Sequence, residues 1–222
     1  MNPYVPEPVP RKSHWLLFVC MAALWVLALV PGVRYLVRFE NTAGRRGFAP
    51  SDWHNTTTLS SGDARLPLLL VALHPKCSCS NATLTELEEA AQTFDHPYNA
   101  ILLIDPPQGL SFDWRKTRAY REAQKALHAT VVLDNDGKLA ASLGAFTSGD
   151  VRLYAAEDAH SRRSLLFAGG VTGSRGMVGA NSGVEGLKTA FRNTENNPHA
   201  TSPVFGCELL SAALHSDEQG GR

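Results

Sequence analysis

The pattern of apolar and polar positions separates one long apolar segment from a region of short alternating elements. Residues 66–74, LPLLLVALH, form a continuous apolar run, which is typical of a strand buried on both faces of a sheet. The following residues, SNATLTELEEAAQTF, carry apolar side chains at helical spacing, and Ser80 or Asn81 is suited to cap a helix. The pattern therefore predicts a strand followed directly by a helix.

The same alternation continues towards the C-terminus. It predicts a buried strand at 98–105, a polar-faced helix at 113–127 and a strand at 129–134 that ends in an Asn-Asp-Gly turn. A short helix (KLAASLGA), a hairpin formed by DVRLYAA and RSLLFAGG, and a last helix at 182–193 complete the series. This order predicts an α/β domain with a mixed sheet and helices on both faces.

The long apolar segment runs from residue 15 to residue 33 and contains no charged residue. As a helix it would span about 28 Å, close to the thickness of a bilayer's hydrocarbon core. Basic residues flank it, and Trp15 and Tyr35 occupy positions where interfacial aromatic residues are common. We interpret it as a transmembrane anchor; the alternative is a cleaved signal peptide, although its apolar run is longer than usual.

These segments predict five regions. They are an N-terminal tail (1–14), the transmembrane anchor (15–33), a juxtamembrane linker (34–65), the α/β domain (66–195) and a C-terminal tail containing Cys207 (196–222). Four arginines follow the anchor closely and two basic residues precede it, and this count alone would place the domain in the cytoplasm. The short N-terminal tail and the cysteine chemistry described next favour the extracytoplasmic, periplasmic side, which is our prediction.

Composition narrows the possible functions. The 222 residues include 21 basic and 21 acidic side chains, so the net charge is zero and no basic surplus indicates nucleic-acid binding. Apolar residues make up 44% of the chain, an ordinary globular value. Four cysteines are too few for a small domain held together by disulfides.

Two of those cysteines, Cys77 and Cys79, lie between the first predicted strand and its helix, in HPKCSCS. A helix N-terminus stabilises negative charge, so a thiolate is favoured there, and Lys76 and a protonated His74 would add to the effect. A bond between residues i and i+2 closes a tight ring, and a strained disulfide is readily reduced. The alternative is a pair of buried structural cysteines.

The sequence resembles the thioredoxin-like superfamily over about residues 66–195. The resemblance rests on LLLVALHPKCSCSNATLTEL, which matches the strand, active-site turn and helix, and on VVLDNDGKLAASLGAFTSGDVRLYAA, which leads into the hairpin. More narrowly, it is similar to a membrane-anchored bacterial branch with an HPxCxC motif, a TSG motif (Thr147, Ser148, Gly149) and a glycine-rich loop. The resemblance implies that Cys77 is the attacking cysteine and Cys79 the resolving one.

The chain departs from that family in two ways. Its cysteines are separated by one residue where the family has two, so the family's redox poise does not transfer. The family also carries a cis-proline before the first hairpin strand, facing the cysteines, whereas this chain has Gly149 at about that position. In family members the proline keeps metals off the dithiol, so its absence makes metal binding more plausible.

Two further features belong to the candidate site. The glycine-rich segment at 169–183, GGVTGSRGMVGANSG, does not match a nucleotide-binding P-loop. One interpretation is a flexible loop. The topology of the resemblance implies the other, in which the segment forms a wall of the site and Arg175 faces a thiolate or an anionic substrate. Cys207, in SPVFGCELL, is far enough from the last helix to return to the cysteine turn, where it would be a second resolving thiol or a metal ligand. The alternative is a thiol on a surface tail, but the apolar residues before it favour docking.

Three interpretations follow. The first is a membrane-tethered thiol–disulfide oxidoreductase that exchanges with protein thiols and disulfides and needs no cofactor: Cys77 attacks a partner disulfide, and Cys79 or Cys207 resolves the mixed disulfide. The second is a copper(I)- or zinc-binding protein or assembly factor that uses His74, Cys77, Cys79 and Cys207. The third is a redox-inactive domain kept for protein contacts, in which serine at both cysteines of the motif would leave function intact.

Overall fold

The computed structural model describes residues 12–54, 62–106, 116–117, 121, 125, 127–135, 137–193 and 199–209. The chain divides into two units, Met1–Glu40 and Asn41–Arg222. The first unit contains helix α1 (Lys12–Glu40), and its side chains from Trp15 onwards are exposed. The stretch Trp15–Glu40 has a mean hydropathy of 2.5 and is long and apolar enough to cross a membrane. The helix therefore extends beyond the predicted anchor, into the segment predicted as a linker.

The second unit is built on a seven-stranded mixed sheet. Its strands are β1 (Asp52–His54), β2 (Leu68–Leu73), β3 (Asn99–Ile104), β4 (Thr130–Leu133), β5 (Asp150–Tyr154), β6 (Arg162–Gly169) and β7 (Ala200–Thr201). The spatial order is β1-β6-β5-β2-β3-β4, with β7 also pairing with β6. Strands β2, β3 and β4 are parallel, whereas β5 is antiparallel to β2 and to β6. The predicted mixed α/β sheet and its hairpin are thus confirmed.

Within the described residues of this unit, three helices have clear bounds: α2 (Ser78–Ala91), α3 (Lys138–Ser142) and α4 (Ser182–Arg192). Strand β2 is buried on both faces because its alternate side chains pack into two different cores. Leu69, Val71 and Leu73 pack in the same core as the apolar side chains of α2 and α4. The predicted helix at 113–127 lies mostly outside the described residues.

The opposite face of the sheet has a separate core. Leu68 and Leu70 of β2 pack there with Leu143, which directly follows α3, and with Trp53 of β1. The ring of Trp53 lies 5.7 Å from that of Tyr154, measured between centroids. Part of the predicted linker therefore contributes an edge strand to the domain. Both cores hold β2 in place, and β2 ends at the cysteine turn.

Candidate redox site

The cysteine motif begins where β2 ends. After Leu73 the chain turns, and the Cys77 backbone N–H donates a 3.0 Å hydrogen bond to the His74 carbonyl. Cys77 is the N-cap residue of α2, with extended dihedrals (φ −85°, ψ 124°), so its side chain lies at the positive end of the helix. The sequence predicted this placement between strand and helix.

Cys207 lies beside Cys77, although 130 positions separate them in the sequence. Their Sγ atoms are 2.8 Å apart in a hydrogen bond, and the Cys207 backbone N–H approaches the Cys77 sulfur at 3.4 Å. Cys79, in the first turn of α2, acts on the Cys77 sulfur and lowers its pKa. The sulfurs of Cys77 and Cys207 are therefore in direct contact, and Cys79 lies two residues further along the same turn.

The three thiols differ in their access to solvent. Cys77 and Cys79 each expose 3% of their surface, whereas Cys207 is exposed. Cys20, the fourth cysteine, lies in α1 and belongs to the other unit. Cys207 is thus the exposed member of the three-cysteine cluster.

The segment that carries Cys207 is held in place on both sides of the cysteine. Before it, β7 pairs in parallel with β6, and Val204 and Phe205 are buried. After it, Leu209 is 1% exposed and packs with Ala72, Ala140 and Ala145. The predicted C-terminal tail is therefore part of the domain up to Leu209, which agrees with the expectation that its apolar residues favour docking.

Residues 206–209 lie against the loop that precedes β5. The Ser148 N–H donates to the Cys207 carbonyl at 2.8 Å, and the Leu209 N–H donates to the Phe146 carbonyl at 3.0 Å. Thr147 and Glu208 form an antiparallel bridge. This backbone pairing fixes the register of the segment, and that register brings the Cys207 sulfur to Cys77.

The Ser148 hydroxyl also holds the cysteine turn in place through hydrogen bonds. Its buried hydroxyl accepts the His74 N–H at 2.9 Å and lies 2.7 Å from the Ser80 hydroxyl. Because the Ser80 hydroxyl donates to the His74 carbonyl at 2.8 Å, Ser148 is the donor between the two serines. One small network thus joins the turn, α2 and the loop before β5.

Gly149 occupies the position at which the resemblance implied a cis-proline. It has φ +92°, a conformation that favours glycine, and its N–H donates to the Ala72 carbonyl at 2.8 Å. A Cβ there would come within 2.7 Å of the Thr83 hydroxyl oxygen. Gly149 therefore sets the close approach of this loop to β2 and α2.

The glycine-rich segment lies at the same end of the sheet and contacts the cysteine cluster at two points. Arg175 donates a short hydrogen bond from Nη1 to the Gly206 carbonyl, and its charge acts on the Cys207 thiol. The Gly176 backbone N–H acts on the Cys79 thiol and partly opposes the rise in its pKa. The segment thus reaches the residue before Cys207, and the expectation that it walls a site stays a prediction.

The hydrogen bonds around Cys77 favour its thiolate form. The pKa of Cys77 is lowered to about 4, chiefly because the Cys79 thiol donates to its sulfur, and burial opposes this shift. The Cys207 thiol and backbone N–H add to the lowering, as does the Cys79 backbone N–H at the start of α2, although the Cys77 side chain makes no regular capping hydrogen bond. The neighbouring thiols, more than the charge of Lys76 invoked from the sequence, thus stabilise this thiolate.

The other two thiols are shifted in the opposite direction. The pKa of Cys79 is raised because it donates its proton to Cys77, and burial adds to the effect. Burial and the contact with Cys77 raise the pKa of Cys207 to about 11, while the charge of Arg175 opposes them. The shifts thus favour the thiolate form of Cys77 and the protonated forms of Cys79 and Cys207.

These shifts predict how the stability of the reduced protein depends on pH. The pKa of Cys77 falls from 9.0 to about 4 on folding, so its contribution to the free energy of unfolding is complete above pH 9 and is lost as the pH falls towards 4. We expect the stability difference between wild type and Cys77→Ser to grow with pH over this window. Denaturant unfolding of both proteins under reducing conditions would measure it. A difference that is constant with pH would contradict the thiolate assignment.

His74 is the remaining residue of the predicted metal-binding set, which also contains Cys77, Cys79 and Cys207. The Nδ1 atom of His74 accepts the Lys76 backbone N–H at 3.3 Å, so the imidazole is engaged within the turn. In the described part of the chain, no group of three or more His, Cys, Asp or Glu side chains is arranged to hold a metal ion. A zinc ion would hold two thiolates roughly 3.8 Å apart, so Cys77 and Cys207 at 2.8 Å would have to separate.

Sequence reasoning missed two features around the site. The first is the backbone pairing of residues 206–209 with the loop before β5, for which the apolar residues before Cys207 were the only signal. The second is a buried ion pair on β5, in which Arg152 contacts Asp150 at 2.9 Å. Arg152 also donates to the Gly144 carbonyl at 3.0 Å and is 1% exposed. This pair lies immediately beyond Gly149 and braces the loop from the other side of the sheet.

Comparison with known proteins adds information on the fold. No protein-family model and no curated protein matches the chain. A crystal structure of a hypothetical protein from Sinorhizobium meliloti 1021 matches with 16% identity and a TM-score of 0.50, over 77% of this chain and 96% of that one. An uncharacterised conserved protein from Geobacillus kaustophilus has 12% identity and a TM-score of 0.49, over 77% and 93% of the two chains. The first of these similarities shows a shared fold and names no activity.

Proposed function

We propose that the protein is a membrane-tethered thiol–disulfide oxidoreductase whose redox pair is Cys77 and Cys207. The observation that carries the proposal is the 2.8 Å contact between the two sulfurs, and the lowered pKa of Cys77 supports it. A disulfide requires about 2.05 Å between sulfurs, so closing the bond needs a movement of about 0.8 Å. Oxidation removes two electrons and the Cys207 proton and joins the two sulfurs.

The proposal includes a thioredoxin-like fold. Its support is the topology around the cysteines: a parallel β2–α2–β3 unit, an antiparallel β5–β6 hairpin beside β2, and α4 packed with α2 on one face. In this arrangement the Cys79 thiol acts as a hydrogen-bond donor to the Cys77 thiolate, and Cys207 forms the disulfide with Cys77. Cys79 therefore acts on the reacting sulfur without forming the working disulfide.

A redox titration tests this function. The full-length protein in detergent, with Cys20→Ser to remove the thiol of α1, would be equilibrated with glutathione buffers, alkylated and mapped by mass spectrometry. We expect Cys77 and Cys207 to lose their free thiols together at one midpoint, reversibly, while Cys79 remains alkylatable. If the thiols stayed unpaired at every redox potential of the glutathione buffer, this would contradict the proposal. Stoichiometric copper or zinc in such a preparation would then favour the metal-binding alternative.

We further propose that α1 anchors the protein in a membrane with the domain on the extracytoplasmic side, where protein disulfides persist. The exposure of Cys207 makes it a topological reporter, because a membrane-impermeant maleimide reaches it only from the side on which the domain lies. We expect labelling of the reduced protein in intact bacterial spheroplasts, with Cys207→Ser as the control. Labelling that requires lysis would place the domain in the cytoplasm, as the charge count after the anchor suggests.

A further inference from the structure

The burial of the three thiols restricts which sulfur a partner protein can reach. Cys77 exposes 3% of its surface and is covered by the segment that carries Cys207, whose backbone N–H and sulfur both contact the Cys77 sulfur. Cys79 is equally buried. Cys207 is exposed. Disulfide exchange requires in-line access of an attacking sulfur, so a polypeptide partner meets Cys207 first.

We propose that Cys207 is the sulfur that exchanges with partner proteins, and that the oxidised protein donates its Cys77–Cys207 disulfide to exposed dithiols of polypeptides. This inference rests on the proposed function and specifies its substrate class and direction. It reverses the roles expected from the sequence, in which Cys77 meets the partner and Cys207 acts inside the molecule.

The reaction proceeds in two balanced steps. A partner thiolate attacks the Cys207 sulfur, the Cys77–Cys207 bond breaks, and Cys77 leaves as a thiolate while a mixed disulfide forms on Cys207. A second thiolate of the same partner attacks the partner sulfur of that mixed disulfide, and Cys207 leaves and takes up a proton. The partner loses two electrons and becomes a disulfide, and this protein gains them. A more oxidising protein disulfide would restore the Cys77–Cys207 bond by the reverse sequence.

The contacts around Cys77 favour it as the leaving group. Once released, its thiolate lies at the N-terminus of α2 and accepts the Cys207 backbone N–H at 3.4 Å, and Cys79 lowers its pKa further. None of these groups is consumed in the reaction. A more acidic thiol leaves faster, and a reduced form stabilised in this way makes the disulfide a stronger oxidant. The same contacts therefore favour attack at Cys207 and transfer of the disulfide to the partner.

Arg175 favours the second step of the reaction, in which Cys207 is released. It holds the Gly206 carbonyl next to Cys207, and its positive charge favours ionisation of the Cys207 thiol. When the partner releases Cys207 in the second step, negative charge develops on that sulfur. Arg175 is thus a positioning residue whose charge lies where the second leaving group forms.

The attachment site of a trapped probe tests the proposal. Oxidised full-length protein in detergent, in the Cys20→Ser background, would be mixed with excess of a reduced, extended peptide that contains one cysteine, and then quenched with acid and mapped by mass spectrometry. We expect the peptide on Cys207, with Cys77 free. Attachment to Cys77, or failure of the peptide to open the disulfide, would overturn the proposal. Absence of any Cys77–Cys207 disulfide at the start would instead contradict the proposed function itself.

A size-selection experiment gives a second, independent readout. Reduced Cys77→Ser and Cys207→Ser variants would react with two activated disulfides that share a leaving group, one small and one carried on the peptide. We expect the small probe to outpace the peptide at least tenfold at Cys77, where access is restricted, but less than about threefold at Cys207. Equal discrimination at both cysteines would overturn the assignment of Cys207 as the exchanging sulfur.

The direction of transfer is measured with a dithiol probe. Equal concentrations of oxidised protein and a reduced peptide with two cysteines would be brought to equilibrium. We expect at least tenfold more peptide disulfide than peptide dithiol. An equilibrium that leaves the disulfide on this protein would overturn the proposed direction and leave the exchange reaction itself intact.

Discussion

Replacing Cys77 with serine is expected to abolish disulfide exchange, whereas Cys79→Ser should retain most of it. Cys77 has the lowered pKa and forms one half of the proposed bond, so the Cys77–Cys207 disulfide cannot form without it. We expect transfer of a disulfide to a dithiol peptide to fall at least about 100-fold, to the background of the uncatalysed reaction. The measurement is the initial rate of peptide oxidation by the oxidised proteins, with Cys20→Ser present in each.

The variants of Cys79 separate hydrogen bonding from covalent chemistry. Serine keeps a donor to the Cys77 sulfur, whereas alanine removes it, and a hydrogen bond to a charged group contributes about 1.5–3 kcal/mol. We therefore expect Cys79→Ala to raise the Cys77 pKa by about 1–2 pH units, visible in the ultraviolet absorbance of the thiolate. If Cys79→Ser were as inactive as Cys77→Ser, Cys79 would be a partner in the working disulfide and the assigned pair would be wrong.

The local parts of this architecture could be predicted from the sequence. The apolar run that became β2 and the helical stripe that became α2 are short-range patterns, and together they define the strand-to-helix turn that carries Cys77. The hairpin of β5 and β6 was equally visible as two apolar segments around a polar turn. Each of these elements is specified by neighbours within a few residues.

The long-range parts could not be predicted. Arg152 lies in the middle of β5, where alternation would expose it, yet it is buried, and its Nη2 atom pairs with Asp150 and donates to the Gly144 carbonyl. β1 is three residues long and polar at two positions, so only its pairing with β6 defines it as a strand. The apolar residues before Cys207 indicated docking but not the register that brings the two sulfurs together.

That register depends on close contact at Gly206, and the largest structural effect is expected there. A Cβ at Gly206 would overlap the Ser148 carbonyl oxygen and come within 2.9 Å of its carbon, and both are backbone atoms that cannot move independently. In Gly206→Ala the segment must separate from the loop before β5, which breaks the hydrogen bond from Ser148 to the Cys207 carbonyl. We expect the equilibrium constant for forming the Cys77–Cys207 disulfide to be at least tenfold lower than in wild type. It is obtained from the oxidised fraction at a fixed glutathione redox potential.

Gly173→Ala provides the matched control, because it also adds one methyl group to a glycine at this end of the sheet. Its Cβ would lie 3.6 Å from the Cβ of Asn181, an ordinary van der Waals distance, so we expect the redox midpoint to be unchanged. Overpacking at Gly206 should also lower the free energy of unfolding of the reduced protein by about 1–3 kcal/mol, which denaturant titration would measure. A Gly206→Ala protein that is destabilised but keeps the wild-type midpoint would mean that Cys207 reaches Cys77 without its backbone pairing to Ser148. Loss of the disulfide in a variant that remains folded would show that this pairing sets the redox pair.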